Sequence, residues 1–340
     1  KTIVFYLSTT ALAIVIALFL GSVLKPGMGL DMSSVVTGEV SIGESKSIVD
    51  ILVGIIPTNP IASFANGDML QIIFFAMLTG VAMSIIGEKA EPVRKVFESA
   101  NEICMKIVSI VMLAAPIGVF SLVAETFSTV GQDAILVLVK YLLVVLLGLF
   151  IHVTVVYSGL FKIFIKQKIM PFLKKFTKVA AITFSTSSSN ASVPASMEIL
   201  EELGVGKTTR SFTIPMGATI NMDGTAIMQG VAVIFVAQAF GINLDFMDYI
   251  TVIATATMAS IGTAGVPGVG LITLSMVFAS VGLPVEGIAL IMGIDRILDM
   301  TRTAVNITGD AVCTTIVAYQ NNDFNADVFN DKECKDELFA

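Results

Sequence analysis

The chain has 340 residues, 55% hydrophobic and 14% charged, with a formal net charge of -7 and a mean hydropathy of +0.89. Soluble domains carry about 25% charged residues, so the composition excludes an ordinary soluble globular protein and points to a helical integral membrane protein. The acidic balance argues against a nucleic-acid partner.

Apolar runs fall at about 1–24, 48–65, 68–87, 98–125, 132–165, 170–203, 205–243, 246–282 and 284–318. Many match or exceed the ~20 residues of a spanning helix, unlike the alternating segments of about 10 residues in a β-barrel. The chain opens directly in the run Lys1–Leu24, which reads as the remainder of a longer N-terminal part. Gly27 and Gly29 around Lys25–Pro26 mark a loop, and 30–47 is a polar connection. The IPTNP string near 57–60 breaks the next helix, because proline removes a donor and clashes with the preceding turn. Lys89, Arg94 and Lys95 read as one loop.

Cys104, Cys313 and Cys334 are far apart and match no metal or disulfide framework. His152, the lone histidine, reads as a structural residue of an apolar helix. No haem, zinc or nucleotide motif is evident. The methionines, Met228 among them, read as adaptable core packing.

Two small, polar stretches interrupt the apolar second half: STSSSNASVP at 185–194 and ASIGTAGVPG at 259–268. Polar backbone at membrane depth is tolerated only where it lines a protein-enclosed or watery cavity. Lys162, Lys166, Lys168, Lys174, Lys175 and Lys178 precede the first break, and Lys207 and Arg210 follow it. By the positive-inside rule these loops are cytoplasmic. The second break is preceded by Asp245 and Asp248 with no basic residue, so that loop reads as external. Each break contains a Val-Pro pair, Val193–Pro194 and Val266–Pro267, and each precedes a polar-marked helix. The pattern predicts an inverted repeat of two re-entrant hairpins around a transporter substrate site. The alternative is a pair of kinked helices that cross fully.

Asp299, Arg302, Asn306 and Asp310 follow one another at three, four and four residues and share a helix face. A charge at the bilayer centre costs at least ~2.5–3.5 kcal/mol on insertion scales. The stripe reads as a zwitterion clamp, with Asp299 for an ammonium group and Arg302 for a carboxylate. The competing reading is an internal Asp299–Arg302 ion pair that helps the helix insert. Asn221, Asp223 and Thr225 alternate by two near Gly217 and Gly224, which suggests a locally unwound helix. Its freed carbonyls and side-chain oxygens suit a hard cation such as sodium; a hydrogen-bonded kink is the plainer account.

The strings SSSNASVP, GATINMDGTA, ASIGTAGVPG and ILDMTRTAVNITGD resemble the sodium-coupled glutamate and aspartate transporters, the dicarboxylate/amino acid:cation symporters. The resemblance covers essentially the whole chain. It implies an all-α polytopic membrane protein, a homotrimer working as an elevator, with static scaffold and mobile transport domain in each protomer. Residues 1–24 then resemble the remainder of the third transmembrane helix, in the transport domain. Residues 25–125 would hold the scaffold and trimerisation helices, and 126–168 the sixth transmembrane helix. Residues 169–320 would form the transport core: inner hairpin 170–203, unwound helix 205–243, outer hairpin 246–282 and final helix 284–318. Residues 321–340 are a polar, acidic C-terminal tail.

The resemblance also implies roles. Asp299 is similar to the ligand of the substrate's amino group, and Arg302, with Thr225 beside it, to that of the side-chain carboxylate. Asn306 and Ser189 resemble partners of the α-carboxylate. Val266, Gly270 and Thr303 line the pocket, and Ser187, Ser188 and Met222 complete it. One sodium site resembles Gly217, Asn221, Asn306 and Asp310; a second, carbonyls of Thr219, Ser260, Ile261 and Thr263; a third, Tyr6, Thr9, Thr10, Asn221 and Asp223.

Some positions depart from the family. Ser187 and Met300 stand where members often carry an additional arginine, and Asn190 where a small residue is common. Gln229 replaces the proton-carrying glutamate of animal relatives. The expectation is a multi-pass inner (plasma) membrane symporter, C-terminus cytoplasmic, taking up aspartate or glutamate with Na+. Proton coupling, dicarboxylates and neutral amino acids are the alternatives within the family. An intramembrane aspartyl protease is disfavoured, because Arg302 one turn from Asp299 would keep that acid ionised.

Overall fold

Residues 1–30, 53–114, 117–118, 120–121, 124, 133–261, 263 and 265–330 are described by a computed structural model. The polar connection 31–47, most of 115–132 and the end of the acidic tail, with Cys334, lie outside the described residues. Among the described residues the chain is helical, with one isolated antiparallel bridge between Val205 and Phe324.

Helix α1 (Thr2–Leu24) ends at Lys25, whose left-handed backbone (φ 48°) returns its N–H to the Gly21 carbonyl. Pro26 follows and cannot continue the helix. Helix α2 (Pro60–Asn66) starts at the expected IPTNP break. Asn59 accepts hydrogen bonds from the Ile61 and Ala62 N–H groups, and Pro60 takes a position with no N–H to lose. Helix α3 (Met69–Ile86) is followed by a tight turn, Gly87–Ala90, and α4 (Glu91–Met112). The basic loop expected around Lys89, Arg94 and Lys95 is therefore mostly helix. Arg94 pairs with Glu91 and Glu98 at i−3 and i+4, and Lys95 with Glu91, spacing that supports a helix surface.

Helix α5 (Asp133–Ile151) runs through a π-turn, His152–Tyr157, into α6 (Ser158–Phe164). Then come two helical hairpins and a broken helix between them. The first hairpin is α7 (Met170–Thr186) and α8 (Ser189–Glu202). The broken helix is α9 (Lys207–Ile220) and α10 (Asp223–Ala239). The second hairpin is α11 (Phe246–Ser260) and α12 (Val269–Ser280). Helix α13 (Gly287–Gln320) is unbroken over 34 residues, and α14 (Ala326–Asn330) closes the described chain. Among the described residues four stretches are long and apolar enough to cross a membrane: Thr2–Leu24, Gln71–Cys104, Ile135–Phe164 and Lys207–Ala239.

The apolar core is built from α1 and α5–α13, with α1 laid along α10 and α10 against α13. Helix α10 is buried on nearly every side, which suits its largely apolar sequence. Among the described residues the connected apolar core has no member between Leu30 and Val137, and Ala90 is buried outside it. Helices α2–α4 are largely exposed; α3 touches the core unit at α11.

Candidate functional site

Both polar breaks end helices and start new ones, and their tips meet. At the first, Ser187 takes the left-handed conformation (φ 52°), and Ser188 caps α8 by accepting from the Ala191 N–H. The second lies between the end of α11 at Ser260 and the start of α12 at Val269. Ser188 Oγ donates to the Gly265 carbonyl at 2.8 Å, and the Asn190 N–H donates to the same oxygen at 3.3 Å. The helix break between α9 and α10 is narrower than the sequence suggested: only Asn221 and Met222 leave the helix, while Asp223 and Thr225 lie in the first turn of α10.

A cavity opens where these elements converge. The first hairpin contributes Ser187 and Ser189, and the helix break contributes Met222 and Thr225. The second hairpin contributes Thr263, Gly265, Val266, Val269 and Gly270, and α13 contributes Asp299, Arg302, Thr303 and Asn306. Ten of the eleven expected pocket residues are thereby brought together. Ser188 is the exception, because its hydroxyl is engaged at the hairpin tip. The cavity has a volume of about 10 Å³, room for one water.

Asp299, Arg302, Asn306 and Asp310 are all buried, as the shared helix face predicts. Arg302 Nη2 donates to Asp299 Oδ1 and Nη1 to Asp295 Oδ1, both at 2.8 Å. The internal ion pair weighed for this stripe therefore exists, and both its members also line the cavity. Asp299 Oδ2 accepts the Gly268 N–H at 3.1 Å, which ties the second hairpin to α13. A Cβ at Gly270 would stand 2.7 Å from Arg302 Nη2, so any side chain there would push the guanidinium from its place against α12. Asn306 accepts the Gly224 N–H at 2.6 Å and reaches Thr225 Oγ1 at 3.3 Å.

Behind the cavity lies an oxygen-rich cluster. Thr10 Oγ1 donates to Asp223 Oδ1 at 2.6 Å; Thr9 Oγ1 stands 3.4 Å from both Asp223 Oδ1 and Asn221 Oδ1. Asn221 Nδ2 donates to Asp310 Oδ1 at 2.8 Å. Gly217 lies against the Asp310 carboxylate and the Tyr6 hydroxyl, which itself donates to the Thr213 carbonyl. Asp310 Oδ2 is buried with no hydrogen-bond partner. These oxygens come from hydroxyls, amides and carboxylates, a donor set that fits a hard cation. The expected set Thr219, Ser260, Ile261 and Thr263 is less drawn together. Thr219 is exposed and its hydroxyl turns back to the Met216 carbonyl, while Ser260 and Thr263 are buried at the end of α11.

Sequence reasoning missed Asp295, Gly265 and Val269; it placed Thr263 in a cation set rather than on the cavity wall and read His152 as a structural residue without a polar partner. Asp295 was legible, since it precedes Asp299 by four residues and Arg302 by seven on the same face. His152 is more than an inert core residue: its Nε2 lies 3.1 Å from Asp223 Oδ2.

An apolar chain with a broken helix, two helical hairpins and buried charges converging on one small cavity has the architecture of a membrane transporter core. The profile of the sodium:dicarboxylate symporter family matches residues 1–320. The chain belongs to this family, and it is an integral membrane protein of the transporter class. A proton/sodium-glutamate symport protein of Geobacillus stearothermophilus is 36% identical over 335 residues, 96% of this chain and 79% of the relative. A proton/glutamate-aspartate symporter of Bacillus subtilis (strain 168) is 38% identical over 323 residues, 94% of this chain and 78% of the relative. A C4-dicarboxylate transport protein of the same strain is 34% identical over 331 residues, 96% and 78% respectively.

Proposed function

We propose that this protein takes up an acidic amino acid, aspartate or glutamate, with sodium as the driving ion. One observation carries the substrate class: Asp299 and Arg302 stand side by side on the cavity wall. A carboxylate suits an ammonium group, and a planar guanidinium suits a carboxylate. Thr225, Asn306 and Ser189 supply further polar contacts to the substrate, with Ser187, Met222, Val266, Gly270 and Thr303 around it. A neutral amino acid would offer Arg302 no carboxylate beyond those of Asp295 and Asp299. A dicarboxylate lacking an ammonium would face Asp299 with like charge. The names of the relatives span glutamate, aspartate and C4-dicarboxylates, and among these the pair of charges favours a substrate that carries an ammonium group as well as carboxylates.

Sodium is assigned to the clusters around Asp223 and Asp310, with Tyr6, Thr9, Thr10, Gly217, Asn221 and Asn306. A third site is assigned to Thr219, Ser260, Ile261 and Thr263. More than one ion is required. A 100 mV potential supplies about 2.3 kcal/mol per charge, a tenfold gradient about 1.4 kcal/mol, and the anionic substrate cancels the charge of the first ion.

The small cavity supports gating by the second hairpin. Admitting an amino acid requires its tip to leave Asp299 and the first hairpin, breaking the Gly268 and Gly265 contacts. Both hairpins are read as re-entrant, one from each side of a cell membrane, with the C-terminus cytoplasmic. Among the described residues, the lack of a shared apolar core between α2–α4 and the other helices supports a scaffold separate from an elevator-like transport domain, in a homotrimer.

The test is uptake of radiolabelled aspartate into proteoliposomes, with inward sodium and inward proton gradients imposed separately. Sodium-dependent accumulation, suppressed by unlabelled glutamate but not by serine or succinate, is expected. Accumulation driven by protons alone overturns the sodium assignment, and suppression by succinate overturns the clamp.

A further inference from the structure

Asp223 is held from two directions. Its Oδ1 faces the candidate cation ligands Thr9 and Thr10. Its Oδ2 receives two other groups, both presented by the π-turn. Tyr157 OH donates to it at 2.8 Å, and His152 Nε2 lies 3.1 Å away. All three side chains are completely buried.

The turn geometry makes this double contact possible. In an α-helix, residues five apart point about 140° away from each other. A π-turn closes i→i+5 and brings such residues over one another. His152 and Tyr157 are five apart and open and close the π-turn; their rings meet edge-on at 4.7 Å. The tautomer is fixed by surroundings. His152 Nδ1 is buried with no hydrogen-bond partner, so a hydrogen there would be an unmet donor, and Nε2 would turn a lone pair toward the carboxylate. With the hydrogen on Nε2, the ring donates to Asp223. Across the cluster, Gly309 on α13 leaves room for the Tyr157 hydroxyl, which any Cβ at 309 would strike.

We propose that His152 and Tyr157, brought together by the π-turn, are positioning residues for Asp223. By occupying Oδ2 they keep Oδ1 turned to the cation ligands of α1 and the helix break. This rests on the assignment of sodium to the Asp223 cluster. Partners of this kind orient metal ligands, and their loss typically costs about 10–100-fold in metal affinity.

The experiment uses the purified full-length protein in detergent, without substrate. Its thermal stabilisation is titrated with sodium chloride against choline chloride at constant ionic strength. Tyr157→Phe and His152→Leu are expected to raise the sodium midpoint about 10–100-fold, and His152→Gln, which keeps an N–H donor, to restore it to within about threefold. Aspartate affinity at saturating sodium, read by calorimetry, is expected to stay close to that of the unaltered protein in Tyr157→Phe. If His152→Leu fails to fold, Tyr157→Phe, which keeps the ring packing, decides alone. Unchanged sodium midpoints in variants of a sodium-responsive protein overturn the positioning role and leave the sodium assignment standing. An unaltered protein that sodium does not stabilise overturns that assignment, and the positioning role with it.

Discussion

Replacing Arg302 by threonine tests substrate class and stability at once. The guanidinium is 1% exposed and satisfies two carboxylates, Asp295 and Asp299, at 2.8 Å each. Its loss leaves two buried acids four residues apart on one helix with no counter-charge. Removing one partner of a buried ion pair costs about 3–5 kcal/mol, so Arg302→Thr is expected to unfold at clearly lower temperature. The effect on binding is separable. Two charge-assisted hydrogen bonds to a substrate carboxylate contribute about 1.5–3 kcal/mol each. Their loss weakens acidic amino acids by about 10²–10⁴-fold, at 1.4 kcal/mol per tenfold. Serine or alanine, with no second carboxylate, escapes this loss. Adding Asp295→Asn to Arg302→Thr removes one stranded acid, so the double variant regains part of the thermal stability without regaining aspartate binding. Thermal unfolding and competition uptake in proteoliposomes read the two effects. A variant that still prefers aspartate to serine would refute the role of Arg302. A double variant no more stable than the single one would refute the coupling of Asp295 to Arg302.

Two other sites make sharp demands. A Cβ at Gly224 would stand 2.5 Å from the Arg302 carbonyl oxygen and 2.9 Å from its Cα. Both are backbone atoms of α13 and cannot turn away, so Gly224→Ala is expected to destabilise by about 1–3 kcal/mol, as overpacked cores do; a wild-type melting temperature would contradict the close approach. Asp323 accepts from the Thr209 N–H at 3.1 Å and from its hydroxyl at 2.6 Å, capping α9 from a distant part of the chain. Asp323→Ala is expected to cost about 0.5–2 kcal/mol, the loss of a helix cap, and to speed proteolysis near Gly204–Lys207.

The legible parts of this molecule are those where one helix carries its own message. The 3-4-4 spacing on α13 announced one buried face, and the four residues share it. The serine- and glycine-rich strings announced two breaks, the first of which is confined to Ser187 and Ser188, with the rest of its string helical. What the sequence did not carry is set by approach between distant segments. Asp295 could have been added to the α13 stripe by spacing alone, but its pairing with Arg302 rather than with solvent depends on the cover supplied by neighbouring helices. The basic residues 89–95 looked like a loop by charge, yet Glu91 and Glu98 supply partners at helical spacing.

His152 is the clearest case of a role hidden from sequence. A single histidine in an apolar run gives no local reason to expect a polar partner. Its meaning depends on a π-turn, which inserts no glycine or proline to mark itself, and on Asp223, which lies 71 residues away. The same holds for the hairpin contact through Gly265. Its carbonyl receives Ser188 and Asn190 across more than 70 residues, and no periodicity encodes that meeting. Chemistry located along one helix was readable from spacing alone, and chemistry assembled between helices was reached only through resemblance to a family. The candidate cation cluster belongs to the second kind, since α1, the π-turn, the helix break and α13 each supply part of it. A change in the packing of any of those four elements should therefore reach ion binding without touching an ion ligand.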